Sequence, residues 1–84
     1  MNKEEVRKQV RQILEDRFNF SEQEGVCDAD FLHHDLGMDS LDNVDFIKDL
    51  EQHYGFEIAD HESRLIAQMT VGDVVNFVYG KLSK

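Results

Sequence analysis

The sequence predicts an all-α fold: a small bundle of three main helices plus one short helix. Three observations carry this. Apolar residues recur at helical spacing in three separate segments, and no segment shows the strict alternation of a half-buried strand. Proline is absent, so nothing in the chain forbids long helices. At 84 residues there is material for one modest core, because a chain this short buries only about 60% of the surface its unfolded form exposes. With no low-complexity run, linker or repeat, residues 1–84 read as a single domain.

The first helix is predicted over residues 3 to 18. Val6, Val10, Ile13, Leu14 and Arg17 recur along one stripe, and alternating Lys, Arg and Glu form a solvated back. Residues 19 to 38 lose the period. Asn19, Ser21, Gly25, Asp28 and Asp30 mark a long loop, with Phe18, Phe20, Phe31 and Leu36 as the expected apolar anchors. A loop of that length in so small a domain points to function. The second helix begins at Asp39 or Ser40, either of which can cap free N–H groups, and ends at Gly55. Its expected inward stripe is Leu41, Val44, Ile47, Leu50 and Tyr54. A brief third helix follows, with Asp60 as its expected cap and Leu65 and Ile66 turned inward. In the last helix Thr70 and Asp73 match a capping box, followed by Val71, Val74, Val75, Val78 and Leu82 at helical spacing. FEI at 56 to 58 is too short for a strand.

Charge and composition exclude several functions. A net charge of −9 argues against nucleic acid, whose binding requires basic surface, and against anionic membranes. It steers the domain toward basic patches on partner proteins. The single cysteine, Cys27, permits no internal disulfide. No apolar stretch approaches the roughly 20 residues of a membrane span, and MNKEEVRKQV lacks the apolar region of a signal peptide. The expectation is a cytoplasmic monomer.

Chemistry concentrates in DLGMDSLDNVDFIKDLEQHYGFEI, residues 35 to 58. Ser40 stands where a loop meets a helix N-terminus, a place exposed to other proteins and favourable to a negative group. On position alone such a serine is an ordinary N-cap. A hydrolytic role fails because GMDSL is not the GxSxG elbow and an 84-residue bundle cannot bury a triad, despite His33, His34, His53 and His61. A calcium loop starting at Asp35 would need glycine at its sixth position and glutamate at its twelfth, where Ser40 and Phe46 stand. Cys27 with His33 and His34 does not match zinc-finger spacing, and no metal site is expected.

DLGMDSLD resembles the phosphopantetheine attachment motif of acyl carrier proteins, D-L-G-x-D-S-L. FIKDLEQHYGFEI resembles the remainder of that family's second helix, and TVGDVVNFV the start of its last one. The resemblance covers nearly the whole chain. It implies a protein that catalyses nothing: a phosphopantetheinyl transferase moves a 4′-phosphopantetheine arm from coenzyme A onto Ser40, and acyl groups ride on its thiol. Acyl-transfer and ketosynthase-type enzymes of fatty-acid or related biosynthesis would then dock through basic patches. By resemblance that docking falls on Asp39, Leu41, Asp42, Asp45, Asp49 and Glu51, and a carried chain lies against Val44, Ile47, Leu50, Ile58 and Ile66. Departures from the family pattern are Met38 at the motif's variable position, Lys48 at a partner-contact position usually apolar, Ala59 where proline is common, and extra length before Thr70. Lys48 would alter which partners dock. The remaining alternative is a carrier-like module that binds basic partner enzymes without being modified.

Overall fold

A computed structural model of the chain describes residues 2–18 and 26–83. It contains four helices: α1 (Lys3–Phe18), α2 (Ser40–Tyr54), α3 (Asp60–Ile66) and α4 (Val71–Leu82). The expected anchor Phe20 and the loop residues Asn19, Ser21 and Gly25 lie outside the described residues. The all-α prediction of three main helices and one short one is the architecture observed.

The helix boundaries follow from local chemistry. Asp39 caps α2 by accepting from the Asp42 N–H at 2.9 Å, while the Asp42 carboxylate accepts from the Asp39 N–H at 3.1 Å. Two N–H groups that the helix cannot satisfy are thereby paired. Gly55 ends α2 at φ 74°, a left-handed conformation that glycine adopts without penalty, and its N–H donates to the Glu51 carbonyl. Thr70 and Asp73 form the predicted capping box on α4, at 3.1 and 3.2 Å. The cap of α3 differs from expectation. Asp60 is the first helical residue and Ala59 the N-cap; with no side-chain acceptor at Ala59, the start is secured by Glu62 accepting from the Ala59 N–H at 2.9 Å.

The core is built from α1 and α4, which contribute Val6, Val10, Leu14, Val71, Val74, Val75 and Val78, all with no exposed surface. Against them α2 presents Phe46, Ile47 and Leu50. This corrects the predicted α2 stripe at its N-terminal end. Leu41 and Val44 are 74% and 46% exposed, and Phe46 takes the inward place, so the buried residues of α2, Phe46, Ile47 and Leu50, all fall from its middle onward. Leu65 likewise faces outward at 56% exposure while Ile66 is fully buried; a seven-residue helix lying on the surface has one inward stripe.

The loop before α2 is fastened from residue 26 onward. Val26 and Leu32 are its buried anchors, whereas the predicted anchor Phe31 is 46% exposed. Its backbone explains why: the Val71 N–H donates to the Asp30 carbonyl at 2.9 Å, Gly72 N–H to Asp28 at 2.9 Å and Leu32 N–H to Met69 at 3.1 Å. These bonds seat the loop on the N-terminus of α4 and turn Leu32, not Phe31, inward. Asp28 also pairs with Arg7 of α1 at 2.9 Å. The Arg7 guanidinium, held by Glu4 and Asp28, has its pKa raised further.

Candidate functional site

Ser40 is exposed and is the first residue of α2. Asp39 already makes the cap, so the Ser40 hydroxyl has no structural duty there and forms no hydrogen bond among the described residues. The reading of Ser40 as a plain N-cap fails on this point. The approach to it is fixed by Gly37, at φ 72°, and by a tight set of bonds: Gly37 N–H to the His33 carbonyl at 3.1 Å and Met38 N–H to the Leu32 carbonyl at 3.1 Å. His33 Nδ1 sits 2.8 Å from the Met38 carbonyl, which obliges Nδ1 to carry the proton and donate. The segment from Leu32 to Met38 is thus a folded bracket that presents Ser40.

Ser40 lies on the wall of a groove of about 760 Å³ between this bracket, α2 and α3. Leu32, Met38, Val44 and Ala67 supply apolar surface, and Asn43, Ser63, Arg64 and Gln68 supply polar groups. Asn43, one turn after Ser40, donates from Nδ2 to the Ser63 carbonyl at 3.2 Å and ties α2 to α3. That bond to a carbonyl fixes the amide orientation and leaves Oδ1 buried without a partner. On the other flank of α2 a polar groove of about 540 Å³ is lined by Ile13, Asp16, Arg17, Asp49, Gln52 and His53.

The sequence-predicted residues are dispersed around this geometry. Asp39, Ser40 and Val44 line the groove beside the serine, and Met38 is buried there at 4% exposure. Leu41 is exposed at the start of α2, and Asp42 is engaged in the capping box. Asp45 is half-buried and Lys48 exposed; neither forms an ion pair with the described residues. Asp49 is held by Arg17 of α1 through two bonds of 2.6 and 2.7 Å, which also raise the Arg17 pKa. Glu51 accepts from the Ile58 N–H at 2.9 Å and so secures the turn after α2. Ile47, Leu50, Ile58 and Ile66 belong to the buried core cluster, with Ile58 at its edge. Arg64 and Asn43 were not singled out from sequence; the available signal was Asn43 falling one turn from Ser40.

Comparison with known proteins gives this geometry its context. A family model described as the phosphopantetheine attachment site matches residues 8–78. The acyl carrier protein of Thermosynechococcus vestitus is 36% identical over 83 residues, covering 99% of both chains. That of Rubrobacter xylanophilus is 38% identical over 78 residues, covering 93% of both. The chain belongs to the acyl carrier protein family. Its members are carriers, not catalysts, and work with a covalently attached 4′-phosphopantetheine, a transferase that installs it and enzymes that handle acyl groups.

The residues present fit that group. It requires a free hydroxyl on an exposed serine, and Ser40 has one at a helix N-terminus where N–H dipoles favour an attached anion. It also requires room beside the serine, which the groove provides. No helix among the described residues is long and apolar enough to cross a membrane.

Proposed function

We propose that Ser40 carries the 4′-phosphopantetheine arm and that this chain, working as a single carrier domain, shuttles acyl groups between enzymes of fatty-acid or related specialised lipid biosynthesis. The observation that carries the reading is the division of labour at the start of α2. Asp39 caps the helix, and the neighbouring hydroxyl is exposed, uncommitted and placed at the mouth of a groove. The arm's terminal thiol supplies the thioester link to the acyl group. The protein's own residues hold and present it: the bracket from Leu32 to Met38 fixes where Ser40 points, and the Asn43–Ser63 bond holds the two walls together.

Docking falls on the exposed start of α2, where Leu41 offers apolar surface and Asp39, Asp42 and Asp45 offer negative charge to a basic partner such as the transferase or a ketosynthase. Lys48 interrupts that face and selects against partners with a cation opposite it. Asp49 and Glu51 contribute field more than direct contact, since each is already bonded within the chain. A carried acyl chain enters beside Val44, and Ile47, Leu50, Ile58 and Ile66 form the apolar interior that lies beyond it. The chain acts as a monomer in the cytoplasm.

The test is intact mass after incubation with a broad-specificity phosphopantetheinyl transferase and coenzyme A. The parent gains one phosphopantetheine and Ser40→Ala gains none. A folded parent that stays unmodified, also when isolated from its native host, overturns the reading in favour of an interaction module that is never loaded.

A further inference from the structure

Arg64 is the one lysine or arginine among the described residues that lines the groove beside Ser40. Like Lys3, Lys8, Arg11 and Lys48, it forms no ion pair among the described residues, and of these unpaired cations it alone lines the groove. A lone guanidinium facing the attachment groove of a chain with net charge −9 is a placement that general surface composition does not account for. The backbone at its base is held in place. The preceding residue, Ser63, is held to α2 by Asn43, three residues from Ser40, so the base of the Arg64 side chain sits across the groove from the attachment helix. Among the described residues the only carboxylate on the groove wall is Asp39, and its Oδ1 is committed to the Asp42 N–H.

We propose that Arg64 is a positioning residue for the arm: its guanidinium pairs with the phosphodiester on Ser40 and directs the arm over the groove toward α3. This rests on the reading of Ser40 as the attachment site. An anion esterified to Ser40 stands close to Asp39 and Asp42, both negative, and the helix N-terminus alone must offset them. Arg64 supplies the missing positive charge from the facing helix. Its planar fork of donors matches phosphate oxygens in a way a lysine does not. Tethering makes the phosphodiester the anion nearest to hand at all times, ahead of any partner's carboxylate.

The experiment is a cycle of modification against substitution. Apo and holo forms of the parent, Arg64→Gln and Arg64→Lys are melted at low salt and again at high salt, with intact mass confirming loading. Arg64 is exposed and has no ion pair among the described residues, so both variants fold. In the parent, loading shifts the melting temperature upward relative to the same step in Arg64→Gln by about 2–5 °C, the scale of an exposed ion pair in a domain of this size. The difference fades at high salt, and Arg64→Lys falls between. The ³¹P resonance of the holo protein moves on Arg64→Gln. Equal loading shifts in parent and Arg64→Gln, with an unmoved ³¹P resonance, overturn the role of Arg64 and leave Ser40 intact. A parent that gains no mass overturns the attachment reading and this inference with it.

Discussion

On one side of the molecule α1 meets α4 through Val6, Val10, Leu14, Val71, Val74, Val75 and Val78, every one without exposed surface. On the other, α2 faces α3 through the Asn43–Ser63 bond, beside a groove, and keeps a buried acceptor, Asn43 Oδ1, without a partner. The first side is uniform and branched, so it packs in one arrangement. The second mixes polar ties with apolar surface that is only half covered, and an unpaired acceptor costs about 1–3 kcal/mol there. α1 carries unpaired buried atoms too, at Gln9 and Arg11, so the half-covered apolar surface is what makes the groove side open more readily than the valine seam. The carrier thus keeps its stability in α1 and α4 and its adaptability where Ser40 and the groove lie.

The largest expected effect breaks the seam. Leu14→Ala should cost about 2–5 kcal/mol, which is most of what a domain this small possesses. Val44→Ala, on the groove wall and 46% exposed, should stay within about 0.5 kcal/mol. Urea denaturation of the two variants checks this. Equal losses would mean that the groove side bears as much of the fold as the seam.

The second prediction separates cap from cargo site. Asp39→Ala should cost about 1 kcal/mol, since it orphans the Asp42 N–H, while Ser40→Ala leaves the melt unchanged and abolishes loading. A Ser40→Ala melt as low as that of Asp39→Ala would return Ser40 to a capping role.

The same contrast explains what the sequence made legible. The seam was readable because its period is strict: Val6, Val10 and Leu14, then Val71, Val74, Val75 and Val78, satisfy helical spacing without reference to any neighbour. The box at Thr70 was readable for a similar reason, since a cap involves residues three apart; at α2 the string left the cap open between Asp39 and Ser40, and the structure gives it to Asp39. The first half of α2 was less legible because Leu41, Val44 and Phe46 are equally apolar, and which of them turns inward depends on where the other helices lie. Phe31 and Leu32 are adjacent in the same way; the choice between them is made by backbone bonds to Met69 and Val71, nearly 40 residues on. Of the site, the motif serine was plain in the string, but Arg64 became visible only when α3 was placed across the groove.

A third prediction concerns a buried polar group at the far end of α2. Tyr54 stacks on Phe56 with ring centroids 5.6 Å apart, and its hydroxyl is buried without a partner. Burial pushes its pKa up to about 12, from an ordinary value near 10. Folding therefore favours the neutral phenol. Its contribution is fully present below pH about 10 and is lost as the pH rises toward about 12, because the unfolded chain ionises first. Tyr54→Phe should remove that alkaline loss and, by deleting an unsatisfied hydroxyl, match or exceed the parent by up to about 1 kcal/mol at neutral pH. Melts at pH 9 and 11 check the sign; an unchanged alkaline slope in the variant would assign the loss to other groups.

The smallest effect belongs to one of two charged ties between the stable side and the adaptable side among the described residues, Arg17 of α1 with Asp49 of α2; the other joins Lys81 of α4 to Glu62 of α3. Its geometry is bidentate, yet the Arg17 side chain is 42% exposed, so water and salt screen it. A double-mutant cycle with Arg17→Ala and Asp49→Ala should give a small coupling at low salt that vanishes near 0.5 M, where the Debye length falls to a few ångströms. The functional consequence runs opposite to the stability. Arg17→Ala frees the Asp49 carboxylate and makes the chain one charge more negative, so association with a basic partner enzyme should become faster at low salt even as the fold weakens slightly. Slower association would show that Arg17 itself touches the partner, and that the docking face extends from α2 onto α1.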